Sequence, residues 1–92
     1  MSKYSLILTN RFKKDLKQCV KRNLDIYKLS AVVEMLLAGE KLPEKYQDHS
    51  LSGNWSGHRE CHIQRDRLLV YHLQDNILIL TLTRTGTHSD LF

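Results

Sequence analysis

The 92-residue chain has few of the residues that mark disulfide-rich, nucleotide-binding or membrane proteins. Its two cysteines, Cys19 and Cys61, are too few for a disulfide framework, and neither has the CxxC spacing of a metal site. The four glycines form no phosphate-cradling loop. No apolar run is long enough to span a bilayer, and no secretory signal pattern follows Met1. We therefore expect a cytoplasmic protein with no membrane partner.

The remaining composition is that of an ordinary globular protein. Apolar residues make up 41% of the chain and charged residues 26%. This length suits one domain, so we expect residues 1–92 to fold together around a modest core. A deep internal cavity does not fit in so small a domain, so a working site should be an open face or a shallow groove.

Charge and histidine are distributed unevenly along the chain. The net charge is +4, which favours anionic partners such as nucleic acid. Residues 1–40 hold eight Lys or Arg against four Asp or Glu, whereas residues 41–92 hold six of each and all five histidines. The sequence thus separates a basic half from a titratable half.

Hydrophobic periodicity predicts a strand, two helices and three further strands. The first helix, capped by Asn10 and running to about Arg22, has Phe12, Leu16, Cys19 and Val20 on one face. The second begins at Asp25 and stops at Gly39, with Ile26, Leu29, Val33, Leu36 and Leu37 on one stripe. The predicted strands are 4–9, 59–63, 68–73 and 77–83.

The order of these elements predicts an α+β fold. The last three strands, joined by short polar turns, should form an antiparallel meander, and the two N-terminal helices should pack on one face of this small sheet. The opposite face is then available for function.

The polar face of the first helix and the strand ends carry the candidate functional residues. Four lysines on that helix face either form a solvated surface or a ridge that binds phosphates: Lys13, Lys14, Lys17 and Lys21. In the strand 59–63, alternation directs Cys61 and Ile63 to the core and Glu60 and His62 to the open face. Residues at strand ends and loops can converge with His62, namely His49, Asp66, Arg84 and His88.

Such a group suits RNA cleavage without a metal. Attack of a 2′-OH on its own phosphate needs a base, an acid for the leaving oxygen and a cation for the phosphate, which histidine and arginine can supply. The competing interpretation is a metal site built from His49, His58, His62, Asp66 and His88. We disfavour it, because His58 and His62 in a strand lie roughly 14 Å apart. We expect no metal and no other cofactor.

Two segments resemble a known family. The stretch from Asp48 to His62, followed by Asp66, Leu69, Val70 and Tyr71, and the ending RTGTHSDLF match the pattern DHxLxGxWxGxRxxHxxxDxxLxY with a terminal RTGTHxxLF. This pattern is similar to that of the YafQ-type toxins of the RelE/ParE superfamily. The motifs cover residues 45–92, and the lysine-rich first half fits the family's architecture more loosely.

The resemblance implies a ribosome-dependent mRNA endonuclease, the toxin of a type II toxin–antitoxin pair held inactive in a tight hetero-oligomer with its antitoxin. The family's catalytic positions fall on His49, His62, Asp66, Arg84, His88 and Phe92. His88 corresponds to the proton donor, Arg84 to the phosphate stabiliser and Phe92 to a residue that stacks on a base. The general base is left open among His49, His62 and Asp66.

One position departs from the family pattern. A known member has a tryptophan directly after the aspartate, where this chain has Arg67. We expect Arg67 to contact RNA, and codon preference does not carry over.

Two other functions remain as alternatives. One is a non-catalytic growth inhibitor like the gyrase-targeting toxins of the same superfamily, and the other is a generic RNA-binding module. A cluster of titratable groups beside an arginine argues against the growth inhibitor, because a pure binder has no use for several such groups.

Overall fold

The computed structural model describes residues 2–92, and its centre is a five-stranded sheet. The strands are β1 (Ser5–Leu8), β2 (His49–Ser50), β3 (Arg59–Gln64), β4 (Arg67–Gln74) and β5 (Ile79–Gly86). Their order in the sheet is β1-β5-β4-β3-β2. The predicted antiparallel meander is confirmed for β3, β4 and β5, while β1 pairs parallel to β5, with Ser5 opposite Ile79 and Leu8 opposite Leu82.

The first helix, α1 (Asn10–Lys21), begins one residue earlier than predicted. Thr9 is its N-cap, and the Thr9 hydroxyl accepts a hydrogen bond from the backbone N–H of Phe12 at 3.0 Å. Phe12 and Cys19 are buried as expected, but Val20 is 54% exposed. Val20 lies at the margin of the helical stripe, so packing of the stripe centre onto the sheet leaves it outside.

The second helix, α2 (Ile26–Leu37), begins and ends as predicted. Asp25 caps it by accepting from the N–H of Tyr27, and Gly39 follows its end with a φ of +79°, a conformation that glycine adopts without strain. The predicted stripe was wrong at one edge. Val32 is fully buried, whereas Ile26 is 37% exposed.

The two helices cover one face of the sheet, as predicted. The core on this face joins Phe12 of α1 and Leu29, Val32 and Leu36 of α2 to the inward residues of the strands: Cys61, Ile63, Leu69, Tyr71, Leu80 and Leu82. Cys61 and Ile63 therefore lie where alternation placed them.

The opposite face is only partly open. A short C-terminal helix, α3 (His88–Leu91), buries Leu91 against Leu68 and Val70, and Leu51 and Trp55 pack beside them. This small apolar cluster holds the chain end against the sheet.

The last strand was predicted with the wrong ends. Leu78 has a φ of +53°, so residues before Ile79 belong to a turn, and β5 continues to Gly86. A register shift where Val70 pairs with Arg84 and Tyr71 with Leu82 leaves an extra residue in β5. Arg84 consequently lies inside the strand and not at its end.

Candidate active site

A cleft of about 340 Å³ brings four of the predicted site residues together. We call it the histidine cleft; it is lined by His49, Glu60, His62, Arg65, Asp66, Leu68 and His88. β2 supplies His49, β3 supplies His62, the β3–β4 turn supplies Asp66 and the start of α3 supplies His88. These four residues, separated by up to 39 positions (88 − 49), meet in one place.

His49 is held at both ring nitrogens. Nδ1 lies 2.7 Å from the carbonyl oxygen of Gln47, which can only accept, so Nδ1 carries the hydrogen. Nε2 lies 3.4 Å from Oε1 of Glu60, which is directly opposite His49 in the β2–β3 pairing. A protonated His49 therefore has a partner for each N–H.

Glu60 is a site residue that the sequence-based site did not include. It is 8% exposed and lines the histidine cleft beside His49 and His62. The signal was available, because alternation already placed Glu60 on the same face as His62. The pairing of Glu60 with His49 could not be predicted from the sequence, since β2 is only two residues long and shows no alternation of polar and apolar residues.

His62 is half-buried and its ring centre lies 6.4 Å from that of His49. No hydrogen bond commits its ring nitrogens within residues 2–92 in the way that Gln47 and Glu60 commit those of His49. His62 is therefore the histidine of this pair that is available to exchange a proton.

The C-terminal segment presents His88 and Phe92. Thr87 caps α3 by accepting from the N–H of Asp90, and the Asp90 carboxylate accepts in return from the N–H of Thr87 at 3.0 Å. The ring of Phe92 lies 5.3 Å from that of His88 and 6.0 Å from that of Trp55, and the Phe92 side chain is half-exposed. An aromatic surface thus stands at the edge of the cleft.

Asp90 also anchors this segment to Arg22, the residue that caps the C-terminal end of α1. Nη1 of Arg22 donates to Oδ2 of Asp90 at 2.8 Å. The pKa of Asp90 is lowered to about 2. The larger cause is the hydrogen-bonded ion pair with Arg22, and the next is the hydrogen bond from the N–H of Thr87. Because α3 has only four residues, contacts of this kind and the burial of Leu91 determine where His88 lies.

Arg84 lies outside the histidine cleft. It lines a separate depression of about 200 Å³ with Arg22 and Asp90, and its guanidinium is paired with Asp15 of α1. The two side chains are only 14% and 12% exposed, and the pairing raises the pKa of Arg84.

Arg67 is in the interior, which corrects the expectation that it contacts RNA. It is 2% exposed, and its Nη2 donates to Sγ of Cys19 at 3.3 Å. Nε and Nη1 have no partner among the described residues. β4 begins at Arg67, so the alternation that turns Leu69 and Tyr71 toward the helices turns Arg67 there too.

Arg65, which the sequence assigned to a turn, is the exposed arginine of the histidine cleft. Asp48 has a supporting role, since its carboxylate accepts from Nε and Nη2 of Arg59, at 3.2 and 2.8 Å, and from the hydroxyl of Tyr71. Asp48 thereby fixes the chain immediately before His49.

The four lysines of the first helix lie apart from the histidine cleft. The side chains of Lys13, Lys14, Lys17 and Lys21 are exposed on α1, and none lines the histidine cleft.

In the part of the chain from Ser2 onward, no group of three or more His, Cys, Asp or Glu side chains is arranged to hold a metal ion. Burial raises the pKa of the Cys61 thiol to about 12, so it stays protonated and is unsuited to act as a nucleophile. Across residues 2–92, no helix is both long enough and apolar enough to cross a bilayer.

Comparisons with known proteins place the chain in a family. A family model described as "Bacterial toxin of type II toxin-antitoxin system, YafQ" matches residues 4–92. The mRNA interferase toxin YafQ of Escherichia coli K12 is 39% identical over 85 residues, which cover 91% of this chain and 90% of that protein.

Solved structures agree with this match. The crystal structure of YafQ from E. coli BL21(DE3) superimposes with a TM-score of 0.91 at 36% identity, covering 97% of this chain and 98% of that one. The YafQ chain of the E. coli DinJ–YafQ toxin–antitoxin complex gives a TM-score of 0.90 at 36% identity, covering 98% of both chains. The family match, the sequence identity and the shared fold together show that the chain belongs to the YafQ family of bacterial toxins of type II toxin–antitoxin systems.

Proposed function

We propose that this protein is an endoribonuclease that cleaves mRNA on the ribosome and so inhibits translation in the cytoplasm. The observation that carries the proposal is the meeting of His49, His62, Asp66 and His88 in one cleft. The relative that is 39% identical is named an mRNA interferase, which supports the same substrate.

The cleft provides the groups for transfer of phosphate within the RNA. The base removes the proton of a 2′-OH, the 2′-oxygen attacks phosphorus, and the bond to the 5′-oxygen breaks as the acid protonates that oxygen. We assign the acid to His88, beside Phe92, and the base to His62, because both ring nitrogens of His49 are engaged. Asp66 orients the base. Each positioned proton transfer contributes a factor of about 10² to 10⁴ in rate.

Two arginines are available for the phosphate. Arg65 is exposed and lines the cleft directly. Arg84 acts after it exchanges the carboxylate of Asp15 for the phosphate of RNA, an anion that its planar guanidinium binds in the same bidentate way. The half-exposed Phe92 stacks on a base next to the cleaved bond.

The exposed lysines of α1 complete the proposal. Lys13, Lys14, Lys17 and Lys21 bind phosphates of ribosomal RNA while the histidine cleft acts on the messenger. A cognate antitoxin holds the toxin inactive in a hetero-oligomer, as the complex of the similar E. coli toxin with DinJ suggests. No cofactor takes part in the proposed mechanism.

Induction in growing cells tests the nuclease. The wild-type protein should arrest growth and produce new mRNA 5′ ends in phase with codons, and His88→Ala should abolish both. His72→Gln is the matched control: His72 lies on β4 and does not line the histidine cleft, so its cuts should match those of the wild type.

The alternatives give different results. Growth arrest without new 5′ ends would contradict the nuclease and support a gyrase-targeting inhibitor. Absence of both arrest and cleavage would leave a module that binds RNA without cutting it.

A further inference from the structure

A second, wider cavity of about 410 Å³ adjoins the histidine cleft. We call it the basic cavity; its lining includes Lys28, Lys45, Tyr46, Gln47, Gln64 and Arg65. His62 and Arg65 line both the basic cavity and the histidine cleft, so the two are continuous at the β3–β4 end of the sheet.

The shape of the sheet edge explains why a groove forms here. β2 pairs with β3 only at Arg59 and Glu60, so it leaves the edge of β3 beyond Glu60 without a neighbouring strand on that side. α2 and the short 3-10 turn Glu44–Tyr46 flank this edge, and Gln47 follows the turn in a left-handed conformation with a φ of +49°. The basic cavity lies between this segment, α2 and the edge of β3.

The charge of the basic cavity is of one sign. Lys28, Lys45 and Arg65 are exposed and contribute three cations, and no residue of its lining within Ser2–Phe92 is acidic. None of the three forms an ion pair with a carboxylate in that part of the chain, in contrast to Arg22, Arg59 and Arg84. Concentrated cations without internal partners attract anions and lose that attraction as salt rises.

The other lining groups suit a nucleotide. The amides of Gln47 and Gln64 can both donate and accept hydrogen bonds, as base edges and ribose hydroxyls require. Nζ of Lys45 lies 5.1 Å from the centre of the Tyr46 ring, which holds this cation over an aromatic face at the cavity wall. Cations and aromatic groups arranged along a groove are a common means of binding single-stranded nucleic acid.

We propose that the basic cavity binds the single-stranded mRNA segment that adjoins the cleaved bond, an inference that rests on the proposed nuclease function. Lys28 and Lys45 bind phosphates of the flanking nucleotides, and Arg65, at the junction, spans the scissile phosphate and its neighbour. The RNA strand thus passes from the histidine cleft around the free edge of β3. Residues in the basic cavity, and not only those of the histidine cleft, contact the nucleotides that select the cleavage site.

Binding of uncleavable RNA tests this inference separately from catalysis. The probes are a fluorescent 2′-O-methyl hexanucleotide and a 2′-O-methyl dinucleotide, measured by anisotropy over a range of salt concentrations. Lys28→Gln/Lys45→Gln should weaken hexanucleotide binding about tenfold and reduce the slope of log K against log salt by roughly 0.7 for each phosphate that the variant no longer binds. The dinucleotide, which spans only the histidine cleft, should bind the variant and the wild type equally.

A double variant of the same charge is the control. Lys3→Gln/Lys41→Gln also removes two exposed lysines, and neither residue lines the basic cavity. Lys3 stands over Tyr4 at 5.5 Å, much as Lys45 stands over Tyr46, so the control also removes a cation from an aromatic face. This control should bind the hexanucleotide as the wild type does.

Two results would overturn the inference. The first is an equal decrease of affinity in both double variants, which would show a general charge effect. The second is an unchanged hexanucleotide affinity in Lys28→Gln/Lys45→Gln. If that variant then bound the antitoxin more weakly, the cavity would be assigned to a protein partner. Since the probes cannot be cut, a His88→Ala protein that still binds them separates failure of the cavity from failure of the nuclease.

Discussion

Arg84 donates from Nε and Nη2 to the two carboxylate oxygens of Asp15, at 2.9 and 3.0 Å, and the N–H of Thr85 donates to the same carboxylate at 3.1 Å. This contact joins α1 to β5 across 69 positions of sequence. It also occupies the guanidinium that the family resemblance assigns to the phosphate.

Removing either partner of this pair distinguishes a structural arginine from one that acts on RNA. Arg84→Gln and Asp15→Asn should each lower the free energy of unfolding by about 1 to 3 kcal/mol, since both disrupt the same charged hydrogen bonds. Only Arg84→Gln should lower the rate of mRNA cleavage by tenfold or more. Urea denaturation and a cleavage assay measure the two effects. A parallel loss of activity in both variants would show that the arginine has only a structural role.

The Asp90 carboxylate should contribute stability that depends on pH. Its pKa is lowered to about 2 by Arg22 and by the N–H of Thr87, so the contribution is present above the unfolded pKa of about 3.9 and is lost as pH falls through about 2. Asp90→Asn should therefore be less stable than the wild type at pH 6, and the two should converge by pH 2. Denaturation at pH 6, 4 and 2 measures this difference. A difference that does not change with pH would mean that charge is not its cause.

Leu91 and Phe92 are adjacent but should have separate roles. Leu91 is 8% exposed against Leu68 and Val70, so Leu91→Ala should lower the free energy of unfolding by about 2 kcal/mol. Phe92 is 54% exposed, so Phe92→Ala should change stability by less than about 0.5 kcal/mol while it slows cleavage. Thermal melts and cleavage rates of the two variants provide the test. Normal cleavage by Phe92→Ala would remove the aromatic ring from the proposed mechanism.

Arg67 should tolerate an apolar replacement. Its guanidinium is buried with two nitrogens unpartnered among residues 2–92, and a side chain of similar length without charge avoids that desolvation. Arg67→Met should equal or exceed the wild type in free energy of unfolding and should bind RNA within threefold of it. A large decrease of RNA affinity in a folded Arg67→Met protein would restore the expectation of a contact with RNA.

The local pattern of polar and apolar residues was sufficient to predict much of this fold. The caps Asp25 and Gly39, the two helices and the inward direction of Cys61 and Ile63 all follow from neighbours close in sequence. The position of Thr9 as the true cap of α1 is a difference of one residue, which sequence patterns do not resolve.

Contacts between residues far apart in the chain were harder to predict from the sequence. The parallel pairing of β1 with β5 and the pairing of His49 with Glu60 depend on how the whole sheet assembles. Arg67 was misplaced because the predicted strand began at Leu68, which left the arginine in a turn and outside the alternation that buries it. The roles of the residues in the histidine cleft remain predictions.

The pairing of the first strand with the last sets the timing of assembly during synthesis. β1, α1 and α2 are made first, but the strands that they cover lie in the second half of the chain, and Ser5 to Leu8 must wait for Ile79 to Leu82. The helices therefore have no sheet to pack on while that half is still being translated. His88 follows β5 in the chain and joins the histidine cleft only after that. The histidine cleft of a newly made chain therefore becomes complete only late in its own translation.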